Sequence, residues 1–393
     1  VLSGSTLVMI GMSWPLWVDG EDFPRIPFVE GWGGLTARAS WVILGSIVVA
    51  LGAATIGRAW RLAMGVGLVL LAFEVLGDQN RLQPWASQYG TIGLVLVVFP
   101  PATALRLARL HAISLYLYSG LSKLDASFLR ELGPTFLEAG LAPLGLSPGD
   151  WPAAARTAAI LAMPAGEAAI GLGLGWGSTR RAALVVAIGL HSALILILGP
   201  WGLDHSPNVL IWNGAMIAED VLLFGSVRTP AAVPGNPGRL GPLSRFLAVA
   251  FFLFPLGERF GIADSWPSHA LYASHSERAE VFLHEDALDR FPDSIRRRVA
   301  GAGEGPWRRL DLTGWSRDLR GTPLYPQGRV GNGMGEWLAA RLGGPPSVRV
   351  VLWGRAGPLD GGRDRVECIG LRAIRRRGDR FRINAHPSGG DRP

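Results

Sequence analysis

Cysteine is nearly absent from this 393-residue sequence, lysine is equally scarce, and charge of either sign is in short supply. The single cysteine, Cys368, excludes an intramolecular disulfide framework, a CxxC redox pair and a zinc site built on cysteine. Charged residues make up 18% of the chain against 49% hydrophobic, and the mean hydropathy is +0.26. A soluble domain carries about 25% charged residues. The deficit therefore excludes a chain that is soluble throughout, and the long apolar stretches indicate a polytopic membrane protein. Of 38 basic residues, 37 are arginine and one, Lys123, is lysine.

What is present is a series of nine apolar stretches, roughly 4–18, 41–56, 60–77, 89–104, 109–128, 153–176, 182–199, 207–225 and 246–263. Several fall short of the ~20 residues expected of a spanning helix, which tilt and neighbouring helices accommodate. The first is short and opens on Val, pointing to an unusual start codon or to a helix that has lost its beginning. With no basic n-region before it, a cleaved signal peptide is a poor fit.

The loops orient the bundle. Connections near 57–61, 105–110, 177–181 and 226–245 hold nine arginines: Arg58, Arg61, Arg106, Arg109, Arg180, Arg181, Arg228, Arg239 and Arg245. The alternate connections hold only Arg25, Arg38, Arg81 and Arg130, with the acids Asp19, Glu21, Asp22, Glu30, Glu131, Glu138 and Asp150. The positive-inside rule makes the first set cytoplasmic. With nine spans the N-terminus lies inside and the tail outside an inner or plasma membrane.

From about Asp264 the composition becomes that of a soluble domain. Residues 274–393 carry 22 Arg against 15 acids, the whole of the chain's net charge of +7. Ala270–Tyr272, Ala279–His284, Val348–Trp353, Val366–Ile374 and Arg380–Asn384 read as strands. Pro292–Val299 and Asn332–Leu342 read as helices, the second with Asn332 as N-cap and Gly343-Gly344 at its end. Arg375-Arg376-Arg377 reads as a solvated turn between strands, and nothing resembling a nucleic-acid module accompanies it. A Pro/Gly-rich linker occupies 229–242. The expectation is an all-α polytopic membrane bundle over 1–263, embedded in the lipid bilayer, followed by a small α+β extracytoplasmic domain over 264–393.

Ionisable residues inside membrane spans are costly and call for a function. Lys123 lies 14 residues beyond Arg109, or ~21 Å along a helix, in the outer third of the hydrocarbon layer. Gly120, Ser119 and Tyr116 share its face, whereas Asp125 faces elsewhere if the helix continues. One reading is an interface anchor that snorkels. The other follows from the composition: where arginine has replaced lysine almost everywhere, the surviving lysine does what arginine does not. A desolvated lysine can shed a proton and act as a base, while guanidinium stays charged. Glu167 and His191 fall near the midplane of the sixth and seventh spans, and Asn213 lies eight residues below His205 in the eighth. The outer loops add Asp78-Gln79-Asn80-Arg81 and Asp204-His205, with Glu74 just below; Glu258 and Arg259 lie near the outer end of the last span. Glu219 and Asp220 belong to the cytoplasmic half. Each membrane His or Glu also has a plain reading as an interhelical hydrogen-bond partner.

The segment Tyr118-Ser119-Gly120-Leu121-Ser122-Lys123-Leu124-Asp125 closes an apolar helix with G-x-x-K-L-D. It resembles the HTTM domain of the vitamin K-dependent γ-carboxylases, over roughly residues 1–262. The resemblance implies that Lys123 is the base that deprotonates a hydroquinone, and that His191 matches a histidine in a later helix. The carboxylases' Asn-His-x-Tyr-Leu stretch has as its counterpart Asp78-Gln79-Asn80-Arg81-Leu82-Gln83-Pro84-Trp85, without histidine. In overall character the chain is also similar to the MauE/DoxX group of redox-associated membrane proteins. Two functions follow. In one, Lys123, Glu167 and His191 are catalytic, Asn80, Arg81, Tyr116 and Asn213 bind substrate, and a quinone is the implied cofactor. In the other, a non-catalytic partner or scaffold uses its tail to bind an extracytoplasmic protein.

Overall fold

Leu, Val, Ile and Ala dominate the first two-thirds of the chain, and in the computed structural model they fold as helices. The structure describes residues 1–18, 20, 22–32, 36–57, 59–225, 240–342 and 346–388. Asp19, Glu21, Arg58, Arg228, Arg239, most of the Pro/Gly-rich linker and Gly343-Gly344 lie outside the described residues. The helices are α1 (Leu2–Met12), α2 (Trp14–Trp17), α3 (Ala37–Ile56), α4 (Trp60–Gly77), α5 (Pro84–Val98), α6 (Pro101–Leu121) and α7 (Ala126–Arg130). They continue with α8 (Leu132–Leu141), α9 (Ala153–Gly175), α10 (Arg180–Leu198), α11 (Pro207–Phe224), α12 (Pro242–Leu253) and α13 (Leu256–Arg259). Among the described residues four helices are long and apolar enough to cross a membrane: Arg38–Ile56, Trp60–Gly77, Ala153–Gly175 and Arg180–Leu198.

Burial in this bundle is inverted relative to a soluble protein. Val42, Val49, Ile56, Leu62, Val69, Val185 and Leu196 are exposed, whereas Glu74, Asp78, Arg81, Gln88, Lys123, His191 and Asp220 are buried. Polar groups turned to the interior and apolar groups turned outward suit a hydrocarbon solvent. Arginines cap one end. Arg61 donates to Phe99 O (3.2 Å), Arg109 to Leu223 O (2.5 Å) and Arg180 to Leu174 O (3.1 Å). These carbonyls close α5, α11 and α9, where the helix leaves acceptors unsatisfied and its dipole favours a cation.

The tail holds β1 (Arg278–His284), α14 (Asp293–Arg296), β2 (Val299–Glu304), β3 (Trp307–Leu310), α15 (Leu312–Arg320) and α16 (Gly328–Leu342). It ends with β4 (Val348–Trp353), β5 (Arg365–Ile369) and α17 (Leu371–Gly378). The strands form one antiparallel sheet in the order β2-β3-β1-β4-β5. Its core takes Val281, Leu283, Val348, Val350, Trp315, Met334 and Leu338, and also Phe23 and Ile26 from the loop before α3.

Several tail expectations are corrected. Residues 270–272 and 380–384 are turns and bends rather than strands, and β2, β3 and α15 are additional. The strand expected over Val366–Ile374 stops at Ile369 because Gly370 takes φ +79°, after which α17 begins. Arg375-Arg376-Arg377 therefore lies on a helix, with Arg375 bonded to Glu336 (2.9 Å). Asn332 is inside α16, not its cap, and donates to Ile374 O (3.2 Å).

The tail docks on the end of the bundle away from the capping arginines. Arg320 binds Asp78 (2.6 Å) and Leu16 O (3.2 Å), and Arg329 reaches Gln79 (2.7 Å).

Candidate functional site

Small residues bring α6 and α9 together. A Cβ at Gly120 would lie 2.5 Å from Pro164 O and 2.6 Å from Ala168 N, and one at Gly171 would lie 2.8 Å from Leu117 N. Backbones that approach this closely are the mark of helix packing through small residues in membranes. The crossing sets Lys123, just past the end of α6, against Glu167 on α9. Lys123 Nζ donates to Ser119 Oγ at 2.9 Å and pairs with Glu167. Pro164, one turn before Glu167, lies inside α9, where it removes a backbone donor. The helix ends at Leu121, so the expectation for Asp125 on a continuing helix is corrected. Asp125 instead caps α7 through Phe128 N (2.8 Å) and binds His275 (2.8 Å).

A second network faces this pair. Asn213 Nδ2 donates to Val209 O (2.8 Å), which turns its Oδ1 towards His191 Nδ1 at 2.8 Å. His191 Nδ1 therefore carries a proton. On the other side of the ring, Nε2 lies 2.6 Å from the Tyr116 hydroxyl, which is also hydrogen-bonded to Asp220. Gln88 adds a lateral tie, accepting from Trp212 Nε1 (2.8 Å) and donating to Glu219 (3.0 Å).

Both networks line one cavity of about 250 Å³. Tyr116, Ser119, Lys123, Glu167, His191 and Asn213 are among its polar groups, beside Trp212 and Tyr272; most of the remaining wall is apolar, including Leu115, Phe128, Phe136 and Met163. Five of the seven site residues named from the sequence are thus brought together. The other two are elsewhere. Asn80 accepts from Tyr325 N (3.1 Å), and Arg81 binds Glu74 and donates to Leu16 O (3.0 Å), so both sit at the junction with the tail and neither lines the cavity. Sequence reasoning placed Asp220 in the cytoplasmic half and Ser119 on the face of Lys123 but assigned neither to the site. Their signals were present: Asp220 follows Asn213 by seven residues, and Ser119 precedes Lys123 by four, each spacing keeping one helix face.

No family model, curated protein or solved structure matches this chain.

Proposed function

We propose that the chain is a nine-span membrane protein, N-terminus in the cytoplasm and residues 264–393 outside, that removes a proton from a quinol-type or other lipid-soluble substrate. The observation that carries this reading is the sole lysine, held with a carboxylate at the wall of a largely apolar cavity. A ring-bearing apolar molecule fits those walls, and the polar groups converge where its hydroxyl would sit.

The proton count defines the roles. The Lys123–Glu167 pair is neutral either as ammonium with carboxylate or as amine with carboxylic acid. From the second state Lys123 takes the substrate's proton: the substrate O–H breaks, an N–H forms, and the electron pair stays on the substrate oxygen. The product state is an ammonium beside the substrate anion, with Glu167 protonated, so the site as a whole stays neutral in a low dielectric. His191 and Asn213 orient the substrate from the opposite wall. The resemblance to HTTM proteins gives the same role to Lys123.

The test pairs two substitutions with a measurement of inserted, monodisperse protein. The lipid-soluble molecule that co-purifies with the full chain is identified and its turnover followed. Lys123→Arg keeps the charge but does not yield a neutral base, so turnover should fall to background while yield stays normal. Glu167→Gln should also abolish turnover, because the lysine's own proton then has no acceptor. Normal turnover in the arginine variant would reduce Lys123 to an interface anchor. A non-catalytic scaffold of the MauE/DoxX kind, binding an extracytoplasmic protein through its tail, would then be the better account.

A further inference from the structure

Tyr116 has one hydroxyl hydrogen and two close partners, His191 Nε2 and an Asp220 oxygen. We infer that His191, Tyr116, Asp220 and Glu219 form a proton path joining the Lys123 cavity to a second cavity at the arginine-capped end of the bundle. The source of the proton rests on the reading of Lys123 above; the path itself shares His191 and Tyr116 with that cavity but rests on their hydrogen bonds towards Asp220, which do not involve Lys123.

Two hydrogen bonds link three groups, and two protons occupy them. One arrangement is neutral imidazole, phenol and carboxylic acid. The other is imidazolium, phenol and carboxylate. They interconvert when the His191 Nε2–H bond breaks and a new O–H forms on Tyr116, while the phenol's original O–H breaks and an O–H forms on Asp220. One proton has then moved from imidazole to carboxylate, and the trio's net charge is unchanged. In a bundle interior, where an uncompensated charge costs several kcal/mol, that neutrality is the condition for transfer. The hydrogen bond from His191 Nδ1 to Asn213 holds the ring so that Nε2 stays aimed at the phenol.

The geometry gives the path a direction. On α11, Asn213 lies towards the tail and Asp220 lies four residues before Phe224, near the carbonyl that Arg109 caps. Their separation of seven residues spans about 10 Å of helix. Glu219 immediately precedes Asp220 on α11 and lines a cavity of about 420 Å³ with Trp60, Arg61, Leu105 and Leu223, all towards that same end. Among the described residues, neither Asp220 Oδ1 nor Glu219 Oε1 has a hydrogen-bond partner, although both are buried. A purely structural tie between α6 and α11 needs only one acceptor for the phenol, which an asparagine supplies without a buried acid. Two carboxyl groups consecutive on α11, each with one buried oxygen without a partner among the described residues, one bonded to the phenol and the other lining a cavity, are what a relay uses.

The experiment uses the full chain in proteoliposomes loaded with a pH-sensitive dye, with a potassium diffusion potential imposed by valinomycin. Wild-type vesicles should take up protons several-fold faster than protein-free ones. Asp220→Asn and Tyr116→Phe should fall to the protein-free rate, and Asp220→Glu, which restores a transferable proton, should recover flux. Equal flux in wild-type and protein-free vesicles would overturn the path, as would unchanged flux in Asp220→Asn. Because the assay contains no substrate, its outcome is separate from whether Lys123 is a base.

Discussion

His275 engages two carboxylates at once, with Nδ1 2.8 Å from Asp125 and Nε2 3.0 Å from Glu258. Arg259 and Arg355 balance those acids at 3.5 and 2.7 Å. Burial alone would lower the imidazole's pKa, but the hydrogen bonds to Asp125 and Glu258 and their charges outweigh it, and the net shift is upward. A raised folded-state pKa stabilises fully below the unfolded value of about 6.5 and is lost as pH rises through the folded value. The thermal midpoint of the purified protein should therefore fall by a few degrees as pH is raised from mildly acidic to alkaline. His275→Gln should flatten that dependence, and it should cost about 3–5 kcal/mol at low pH by leaving buried carboxylates short of a partner. A midpoint with the same pH slope in the variant would remove His275 from the account. At this scale the sequence was informative where a residue type was rare or deep. Lys123 stood out by number, and Glu167 and His191 by depth along their helices. Depth, however, says nothing about lateral reach. Asp220 was placed in the far half of the bundle by its position on α11, and the long side chain of Tyr116 is what joins it to His191. Asn80 and Arg81 were conspicuous for their polarity, which serves the junction with Tyr325 and Leu16.

Between elements, the α6–α9 crossing fixes the distance between lysine and glutamate, and glycine makes the crossing possible. A side chain at Gly171 would meet Leu117 N at 2.8 Å and Ile113 O at 2.9 Å, both backbone atoms that do not yield. Gly171→Val should therefore force the helices apart, at a cost of at least about 1–3 kcal/mol. It should also lower both the yield of monodisperse protein and the turnover attributed to the Lys123–Glu167 pair. Gly166→Ala is the control, since nothing lies within 4 Å of its added methyl group and alanine favours the helix. Comparable loss from both substitutions would mean that the packing at Gly171 is not what positions the pair. Element type was readable from period where the period was strong. The helices over 41–56, 60–77, 153–176 and 182–199 appear within a few residues of their expected bounds, and so do β1 and β4. The failures have local causes. In β2, Val299–Glu304, four of six residues are Gly or Ala, so no alternation of apolar side chains marks it. In α17 four of eight residues are arginine and only Ile374 and Gly378 are buried, so no run of apolar residues marks it.

For the molecule as a whole, the arginine asymmetry admits two causes, and they separate under test. One is the positive-inside rule, by which arginine-bearing loops stay in the cytoplasm. The other is local: Arg61, Arg109 and Arg180 each satisfy a carbonyl at a helix C-terminus, a role that works on either side of a membrane. The tail packs on the opposite end of the bundle through Arg320, Arg329 and Tyr325, so both causes agree on which end is which and differ only on which end faces the cytoplasm. The nine-to-four count of loop arginines favours a cytoplasmic arginine end. A periplasm-active reporter fused after Asp264 should accordingly be active, and the same reporter fused after Gly177 should be silent. A cytoplasm-active reporter should give the reverse pattern at both positions. Cytoplasmic activity after Asp264 would invert the bundle. The arginines would then be helix caps alone, the Lys123 cavity would lie on the inner side, and the proton path through Asp220 would run outward rather than inward.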